Sequence, residues 1–455
     1  MRKWPVLLCM SILWLFSFQA KAETLKVNGY LHEVEGQRVL HVWGDHYEMG
    51  YAQGYILGPE IALMMHDYVL ELLPNSIYFL AHMIVPPLFE LSEQYMEEAQ
   101  GMVDGMYKSG ADTFLPTLGR HVDVDDLIFC NAMGDIGAMA CSTEIAWDRA
   151  TEDDPALLGE TAMIRNLDWP LVGPDRYLFS KSTIVIVYTP TLPGQQTVAS
   201  VSFPGFFGCL TCMNEQGVAV SLNIAHNGTA LWKINFAERF NNIEIVLREA
   251  LHVGDANGDG HGGILDVVEY VRQSTRSGAF VINLAEPLNH SVSDPGVILE
   301  TDNKGLVLRT PEDEPIFTDF ILASTNDLRK LRSFFPCDRY VSIRDQVVEA
   351  DGRLTLEQMW EIQASVEQDY FLSTTAQTAY FIPADLEIGL AFSSEEGLAP
   401  EKIPAVLQWY QLTALPEGVE LPDDDDDIDD DDDSVPDDDT DRSNKKSDDE
   451  DSCCG

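Results

Sequence analysis

The sequence is poor in positive charge. It contains 28 Lys and Arg residues against 76 Asp and Glu, which gives a formal net charge of −48 at pH 7. From Leu421 onward the tail holds 18 acidic and 3 basic residues, so 15 of the negative charges lie there and 33 in the body. A surface of this sign repels nucleic acids and anionic membranes. Both are therefore excluded as expected partners.

Long hydrophobic runs are also scarce, and the clearest one lies near the N-terminus. Arg2 and Lys3 precede an apolar run over 6–18, and the small-residue segment 20–22 follows it. This order is typical of a secretory signal peptide, and the run is shorter than the roughly 18 to 20 residues that span a bilayer. We expect residues 1–22 to be removed and the mature protein to be secreted, periplasmic or extracellular.

No later stretch is apolar enough to cross a membrane. The most apolar one, 77–89, is interrupted by His82, Pro86 and Pro87, so no transmembrane span is expected. Removal of 22 residues from 455 leaves 433, enough for one large domain or two ordinary ones with a substantial core.

Cysteines are few, and their number raises a question of pairing. One of the eight, Cys9, falls in the signal peptide, and an exported chain with seven cysteines keeps at least one thiol unpaired. The pair Cys209 and Cys212 has the spacing of a redox motif or half a zinc site, but no second pair lies nearby. Buried thiols and a local disulfide are the other interpretations. For Cys453 and Cys454, lipidation, cross-linking, a vicinal disulfide and free thiols all stay open.

The character of the sequence changes at Cys141. The segment before it begins strand-like over 25–42 and is then mainly helical. Strand-like runs follow Cys141, with helices between them at 242–251, 264–274 and 356–366; these runs are 162–167, 182–188, 197–202, 218–222, 280–284, 297–300, 305–309, 378–382 and 388–392. This order predicts an α+β fold in which sheets pack on each other beneath outer helices.

A stripe of small residues marks one face of the first helical stretch. Gly50, Gly54 and Gly58 recur at every fourth position. Residues four apart lie on the same face of a helix, and glycine there lets a second backbone approach closely. We therefore predict close helix packing at this stripe rather than a ligand-binding loop.

Cys141 follows the small-residue segment 137–140, which leaves the peptide bond before the thiol uncrowded. If the chain is cut there, Cys141 becomes an N-terminal residue. Such a cysteine carries both a nucleophile and a base, because its α-amine has a pKa of about 7.7 to 8 and can accept the thiol proton. No separate histidine is required.

Three further elements are modest alone. The segment 165–168 reads Arg-Asn-Leu-Asp at the end of a strand-like run, and 214–223 reads as a turn followed by a short strand that ends in Asn. The third is Asn326, followed thirteen residues later by Arg339. Side chains alternate along a strand, so a turn after Leu167 would be needed to bring Arg165 and Asp168 to one site.

In this order, the four elements resemble the cysteine N-terminal-nucleophile hydrolases, specifically the acyl-coenzyme A:isopenicillin N acyltransferase family. Choloylglycine hydrolase, penicillin V acylase and acid ceramidase are more distant relatives. In that family the cysteine begins the mature β chain, and the matching motifs are Arg-Asn-x-Asp, Asn-Glu-x-Gly with a following strand that ends in Asn, and Thr-Asn with a later Arg. The segment 42–55 also resembles the glycine-bearing opening of the family's pro-segment.

The resemblance implies roles at the cleavage site and beside it. The chain would cut itself between Ala140 and Cys141, which would leave Cys141 as the nucleophile and its freed amine as the base. Asp168 would hold that amine. Arg165 would lower the pKa of the thiol, since a nearby guanidinium favours the thiolate.

The resemblance also implies an oxyanion donor and two bracing residues. Asn223 would donate to the oxyanion, and Asn326 and Arg339 would complete the site. Two departures from the family pattern put the substrate in question rather than the mechanism. An acidic loop over 148–158 lengthens the interval after the cysteine, and Ala140 stands where the acyltransferase often has Gly.

The expected organisation follows from the same resemblance. After the signal peptide, 23–140 would be a helical pro-segment that stays bound as a second subunit, the α chain. Residues 141–415 would build a four-layer αββα sandwich. The Asp-rich end, 416–455, cannot bury apolar surface and is predicted to be a disordered acidic tail.

A further motif lies outside the resemblance. The segment 255–266 places oxygen-bearing side chains at positions 1, 3, 5 and 12 and Gly at position 6, as calcium loops do, with Asp rather than Glu at the end. An acidic, glycine-rich surface loop is the alternative interpretation. The predicted calcium ligands are Asp255, Asn257, Asp259, His261 and Asp266.

Three functions are consistent with these features. The first is hydrolysis of the amide bond of a small N-acyl substrate through an acyl-enzyme on Cys141, with no cofactor for catalysis. The second is transfer of an acyl group from a thioester or amide to an amine. The third belongs to another class: a calcium-dependent surface or binding protein whose hydrolase-like core is inactive.

Overall fold

The computed structural model describes residues 27–421. Gaps in this description fall at residues 74, 117, 137–139, 174, 229–237, 259, 261, 291–293, 314–318, 334–335, 371 and 420. The predicted signal peptide, nearly all of the predicted acidic tail, and Cys453 and Cys454 lie outside the described residues. Residues described before Leu421 belong to one compact unit.

Eighteen strands are present among the described residues. They are β1 Gly29–Val34, β2 Gln37–Gly44, β3 Phe114–Leu115, β4 Arg120–His121, β5 Ala140–Ala146, β6 Ala162–Trp169, β7 Ile184–Pro190, β8 Val198–Ser202, β9 Thr211–Asn214, β10 Ala219–Ile224, β11 Phe280–Ala285, β12 Gly296–Asp302, β13 Gly305–Arg309, β14 Ile321–Ser324, β15 Asp369–Tyr370, β16 Ser373–Ile382, β17 Glu387–Phe392 and β18 Ala405–Gln408.

The described α-helices range from one turn to five turns. They are α1 His46–Leu63, α2 Leu70–Leu72, α3 Asn75–Ile84, α4 Glu93–Ser109, α5 Val124–Asn131, α6 Met133–Ile136, α7 Leu178–Lys181, α8 Ile243–Val253, α9 Ile264–Gln273, α10 Asp338–Glu349, α11 Leu356–Ser365 and α12 Trp409–Leu412. A π-helical segment, Met64–Val69, joins α1 to α2.

The strands form two large sheets. One sheet has nine strands in the order β1-β2-β7-β8-β9-β10-β11-β12-β13. The other has seven: six in the order β14-β5-β6-β16-β17-β18, and β15, which pairs with β16. Neighbours are antiparallel except β2 and β7, which are parallel. Strand β5 therefore lies between β14 and β6. Cys141 pairs with Leu167 of β6, whereas β14 pairs with the later residues of β5, from Thr143 to Ala146.

The two sheets pack face to face between helical layers. Along β7, Ile184 and Ile186 contact the core beneath α1, α4, α8 and α9, whereas Val185 and Val187 face the second sheet. Ile145 of β5 belongs to that shared inner core. On its outer face the seven-stranded sheet packs against α10 and α11. The predicted α+β class and four-layer αββα architecture are confirmed.

The segment before Cys141 is more than a helical subunit, so the expectation that residues after Cys141 build the sandwich alone is wrong. Strands β1 and β2 form one edge of the nine-stranded sheet, and β2 pairs with β7 from Val39–Val185 to Gly44–Pro190. Helices α1 and α4 supply part of the outer layer. The strand character of this segment was visible in the sequence, but local alternation does not reveal which sheet a strand joins.

The glycine stripe has the predicted packing role. A Cβ atom on Gly50 would lie 2.0 Å from the carbonyl oxygen of Glu98, and one on Gly54 would lie 1.9 Å from that of Met102. Both carbonyl oxygens belong to α4, so the backbones of α1 and α4 are in direct contact.

Asp45 caps the N-terminus of α1 by accepting the Glu48 N–H at 2.8 Å.

Candidate active site

Cys141 is the second residue of β5, and its side chain is fully buried between the two sheets. It pairs with Leu167 of β6, as Ala140 pairs with Asp168. The strand itself carried no prediction from the sequence, because its small and polar residues lack a clear apolar alternation. This placement fixes the thiol on a strand that is paired with β6 at this residue.

Arg165 lies against the Cys141 thiol. Its Nη2 is 3.0 Å from Sγ and also donates to the carbonyl oxygen of Leu222 at 3.2 Å. Its Nη1 donates to the carbonyl oxygen of Leu210 at 3.1 Å and to Thr211 Oγ1 at 2.6 Å. The guanidinium is fully buried, so its contact with sulfur is held from several sides.

Arg339 joins the other predicted residues. Its Nη1 donates to the Cys141 carbonyl oxygen at 3.0 Å and to Asp168 Oδ2 at 2.9 Å, and its Nη2 donates to Asn326 Oδ1 at 2.7 Å. The Cys141 N–H donates to the same Asn326 oxygen at 2.9 Å. In this uncut chain, Asn326 rather than Asp168 contacts the nitrogen that cleavage would free.

A turn after Leu167, which Arg165 and Asp168 would need in order to face one site, is absent. Strand β6 continues to Trp169. Arg165 reaches the sulfur from the inner face, and Asp168 is tied to the site through Arg339 and through Thr375, whose Oγ1 donates to Asp168 Oδ1 at 2.6 Å. The Arg339 side chain, from α10, therefore links Asp168 to Cys141 without a backbone turn.

Asn223 is placed near the site but is engaged elsewhere. Its Nδ2 donates to Ser324 Oγ at 2.9 Å and to the Thr325 carbonyl oxygen at 3.3 Å, and its Oδ1 accepts from Thr143 Oγ1 at 3.4 Å. These contacts join β10, β14 and β5 into one buried polar network. The oxyanion role of Asn223 stays a prediction.

Burial dominates the electrostatics of the site. It raises the pKa of the Cys141 thiol above its ordinary value, while Arg165 and Arg339 act in the opposite direction. Burial also raises the pKa of Asp168 to about 6, against the lowering effect of Arg339. The effect predicted for Arg165 is present, but desolvation outweighs it in the uncut chain.

A buried carboxylate supports the loop that carries Asn326. Glu300 accepts the backbone N–H groups of Arg329, Lys330 and Leu331 at 2.9, 2.8 and 2.9 Å. These residues lie three to five positions after Asn326, so Glu300 fixes the C-terminal side of this loop. Sequence reasoning missed Glu300, Thr211 and Thr375, because isolated Glu and Thr residues on strands carry no motif.

Cys209 and Cys212 form a disulfide, and both are fully buried. Of the interpretations left open for this pair, the local disulfide is therefore confirmed. The unpaired cysteines in the described part of the chain are Cys130, Cys141 and Cys337.

The predicted calcium loop is only partly described, because Asp259 and His261 lie outside the described residues. Asp255 accepts the N–H groups of Gly258 and Gly260 at 2.8 and 3.0 Å. Asp266 accepts the N–H of Asn257 at 2.9 Å and thus joins the two ends of the loop. Calcium binding here stays a prediction.

An apolar cavity lies beside the end of β6, where Trp169 is one of its lining residues. Its walls come from the segments before and after Cys141 in the chain. They include the π-helical segment, the end of α5 and the 203–206 loop. The aromatic and methionine side chains lining it include Met64, Met65, Tyr68, Trp169, Phe179 and Phe206. Such a surface binds apolar groups, and methionine adapts readily to their shape.

No single helix among the described residues is long and apolar enough to cross a membrane. A bent pair of helical segments, His46–Leu72 with Ser76–Leu88, meets the length and composition requirements only when taken together.

No protein-family model matches this chain. One curated relative, an uncharacterized protein of Archaeoglobus fulgidus, is 26% identical over 251 residues, which cover 48% of this chain and 38% of that protein. The match thus spans well under half of the relative's length.

Three solved structures are similar in fold. A Caenorhabditis elegans ortholog of N-acylethanolamine-hydrolyzing acid amidase has a TM-score of 0.38 and 17% identity, over 53% of this chain and 92% of that chain. A variant of the conjugated bile acid hydrolase of Clostridium perfringens has a TM-score of 0.35 and 10% identity, over 60% of this chain and 95% of that chain. Penicillin V acylase of Agrobacterium tumefaciens has a TM-score of 0.34 and 12% identity, over 55% of this chain and 83% of that chain. TM-scores below 0.5 carry no conclusion about activity.

Proposed function

We propose that this chain is an exported, self-processing cysteine hydrolase that cleaves the amide bond of an N-acyl substrate through an acyl-enzyme on Cys141. The observation that carries the proposal is the contact of a buried thiol with Arg165 at 3.0 Å, together with the 2.9 Å bond from the Cys141 nitrogen to Asn326. Sulfur and nitrogen of one residue are thus each held by a polar partner, as a cysteine that serves as nucleophile and base requires.

Self-cleavage uses the same atoms. The Cys141 sulfur attacks the carbonyl carbon of Ala140, the bond from that carbon to the Cys141 nitrogen breaks, and the nitrogen takes up a proton to become the free amine. The Ala140 acyl group is left on sulfur as a thioester. Water hydrolyses the thioester, which frees the Ala140 carboxylate and restores the thiol.

Turnover repeats this chemistry on a substrate. The free amine of Cys141 accepts the thiol proton, since its pKa of about 7.7 to 8 lies near working pH. The thiolate attacks the substrate carbonyl, the amine product leaves with a proton, and water releases the acyl group. Asn326 keeps the Cys141 nitrogen in place, and Arg165 stabilises the thiolate electrostatically.

The apolar lining of the cavity favours a substrate whose acyl group is apolar. Trp169, which lines the cavity, directly follows Asp168 in β6. Met133, on the other side, lies in the segment that leads to Ala140. The cavity therefore lies at the end of β6 and draws its walls from both segments of the chain.

The test begins with the intact mass of the purified protein. Wild-type protein should yield two chains separated before Cys141, and Cys141→Ala should stay a single chain. Cys337→Ala removes another unpaired thiol and should be cut normally. Processed protein should then hydrolyse N-acyl amides with apolar acyl chains, with no turnover by Cys141→Ala. A wild-type chain that stays single, or turnover by Cys141→Ala, would overturn the proposal.

A further inference from the structure

A disulfide-closed tetrapeptide is hydrogen-bonded to the Arg165 guanidinium. Cys209 and Cys212 close it, and its two inner residues supply both acceptors of Arg165 Nη1: the Leu210 carbonyl oxygen at 3.1 Å and Thr211 Oγ1 at 2.6 Å. All four residues are buried. The loop thus binds Nη1 of Arg165, whereas Nη2 contacts the Cys141 sulfur.

The geometry of a guanidinium makes these contacts consequential. Its nitrogens lie in one rigid plane, so two acceptors on Nη1 also determine the direction of Nη2. Arg165 Nη2 is the atom 3.0 Å from Cys141 Sγ. A shift of Leu210 or Thr211 would therefore rotate the charge away from the sulfur, although neither residue contacts Cys141 in the hydrogen-bond pattern.

The tetrapeptide is itself fixed from several directions. The Cys209 N–H donates to the Glu244 carbonyl oxygen of α8 at 2.8 Å, and the Leu222 N–H of β10 donates to the Leu210 oxygen at 3.0 Å. Within the sheet, Thr211 pairs with Ser221 of β10. The disulfide closes the turn at the point where the cavity-lining 203–206 loop enters β9.

We propose that the disulfide-closed 209–212 loop positions Arg165 on the Cys141 sulfur, with Thr211 as the positioning residue and the disulfide as the constraint on the loop. This inference rests on the proposed function, because Cys141 must be the nucleophile for the contact to affect turnover. It assigns to the disulfide a role in the active site in addition to any role in stability.

The first experiment compares two substitutions at Thr211 in processed protein. Thr211→Val keeps the shape and removes the hydroxyl. It should raise the apparent pKa of the Cys141 thiol, measured from the pH dependence of iodoacetamide labelling at the Cys141 peptide. It should also lower kcat about tenfold with little change in KM. Thr211→Ser keeps the hydroxyl and should restore both values.

The matched control is Thr161→Val. Thr161 is also fully buried, and its hydroxyl has no hydrogen-bond partner among the described residues. This variant loses a buried hydroxyl without losing a contact to Arg165, and should keep the wild-type thiol pKa and kcat. Equal effects of Thr161→Val and Thr211→Val would mean that packing, rather than positioning, is measured.

The second experiment removes the disulfide with the double variant Cys209→Ala and Cys212→Ala. It should reproduce the raised thiol pKa and lowered kcat of Thr211→Val, and adding Thr211→Val to it should cause little further loss. If both variants keep the wild-type thiol pKa and kcat while Cys141→Ala abolishes turnover, the loop does not position Arg165 and the proposed function still stands. If wild-type protein shows neither cleavage nor turnover, the proposed function itself has failed.

Discussion

At the residue scale, the Cys141 thiol is subject to two opposing influences. Burial raises its pKa and Arg165 lowers it, and burial has the larger effect in the uncut chain. In the proposed mechanism, the amine that cleavage frees accepts the thiol proton, and the ammonium group so formed beside the sulfur favours the thiolate. Self-cleavage would therefore activate the nucleophile as well as expose its amine.

Asn223 provides a prediction at the same scale. Its amide donates to Ser324 and Thr325 in the uncut chain, so an oxyanion role requires it to exchange one of these acceptors when substrate binds. Asn223→Ala should lower kcat of processed protein by about 10²- to 10³-fold, as loss of an oxyanion donor does. Asn223→Asp should be similarly impaired, because it keeps the size and loses the donor. Steady-state kinetics measures both.

A neighbouring residue supplies the control. Asn283 lies in the same buried network, where its Nδ2 donates to Ser221 Oγ at 3.1 Å and its Oδ1 accepts from Ser324 Oγ at 2.6 Å. Asn283→Ala should reduce stability but change kcat much less. If it lowers kcat as much as Asn223→Ala, the network is structural and the oxyanion donor must be sought elsewhere.

The order of the motifs along the sequence predicted much of the candidate site. Arg165, Asp168, Asn326 and Arg339 all connect to Cys141 directly or through one shared partner. What the order could not give was how they connect. The bond from Asn326 to the Cys141 nitrogen depends on where a loop folds back in space, and no local pattern records that.

At the element scale, elements with a polar local pattern were missed. Strand β5 has small and polar residues on a fully buried strand, and α10 has a weak apolar stripe among charged residues. A more apolar element such as β13 was found at its observed bounds, 305–309. The missed elements β5 and α10 carry the site residues Cys141 and Arg339, whose side chains serve the site rather than the local pattern.

The contact of α1 with α4 leads to a stability prediction. Gly54→Ala would place a Cβ 1.9 Å from the carbonyl oxygen of Met102, so the two helix backbones would have to separate. We expect a loss of about 3 kcal/mol in the free energy of unfolding, at the upper end for overpacking. Chemical denaturation measures it.

Glu97→Ala, on the exposed side of α4, is the control for this contact. It should change stability by less than about 0.5 kcal/mol. Wild-type stability of Gly54→Ala would show that the helices can move apart without cost.

The 255–266 loop leads to a prediction about calcium. If the loop binds the ion, calcium should raise the Tm, because a ligand that binds only the folded state stabilises it. EDTA should reverse the effect. Asp255→Ala should abolish the response, whereas Asp153→Ala, in the exposed acidic loop before β6, should keep it. Differential scanning fluorimetry is sufficient, and an unchanged Tm across calcium concentrations would favour a plain acidic surface loop.

At the scale of the whole molecule, the segments before and after Cys141 share one core. Arg248 of α8 pairs with Glu98 of α4 at 2.6 Å, and His46 of α1 lies 2.8 Å from the same carboxylate. These side chains are buried, and Arg248 also stacks on Tyr188 of β7 at 3.4 Å from the ring centroid. Breaking such a pair by removing one partner is costly. Cleavage would therefore leave two chains that stay together.

Buried acidic groups also govern how the stability of the whole molecule depends on pH. Glu144 of β5 accepts a bond from Gln363 Nε2 at 3.0 Å, and burial raises its pKa to about 8, against about 4.3 for an unfolded Glu. The folded chain therefore holds a proton that the unfolded chain releases. The resulting stabilisation is fully present below the unfolded pKa and is lost as pH rises through about 8.

Above pH 6.5, the comparison of wild type with a Glu144 variant separates this effect from that of other buried carboxyl groups, such as Glu244, whose pKa is also raised by burial. His41 and His252 have lowered pKa values through burial, so above the ordinary histidine value of 6.5 they are mostly neutral in both states. We expect the wild-type Tm to fall between pH 6.5 and about 8, and Glu144→Gln to flatten that fall, because glutamine has no proton to lose. Glu361→Gln, on the exposed side of α11, should keep the wild-type slope. A slope unchanged by Glu144→Gln would mean that this carboxyl is already ionised in the folded chain and that its burial is offset by contacts other than Gln363.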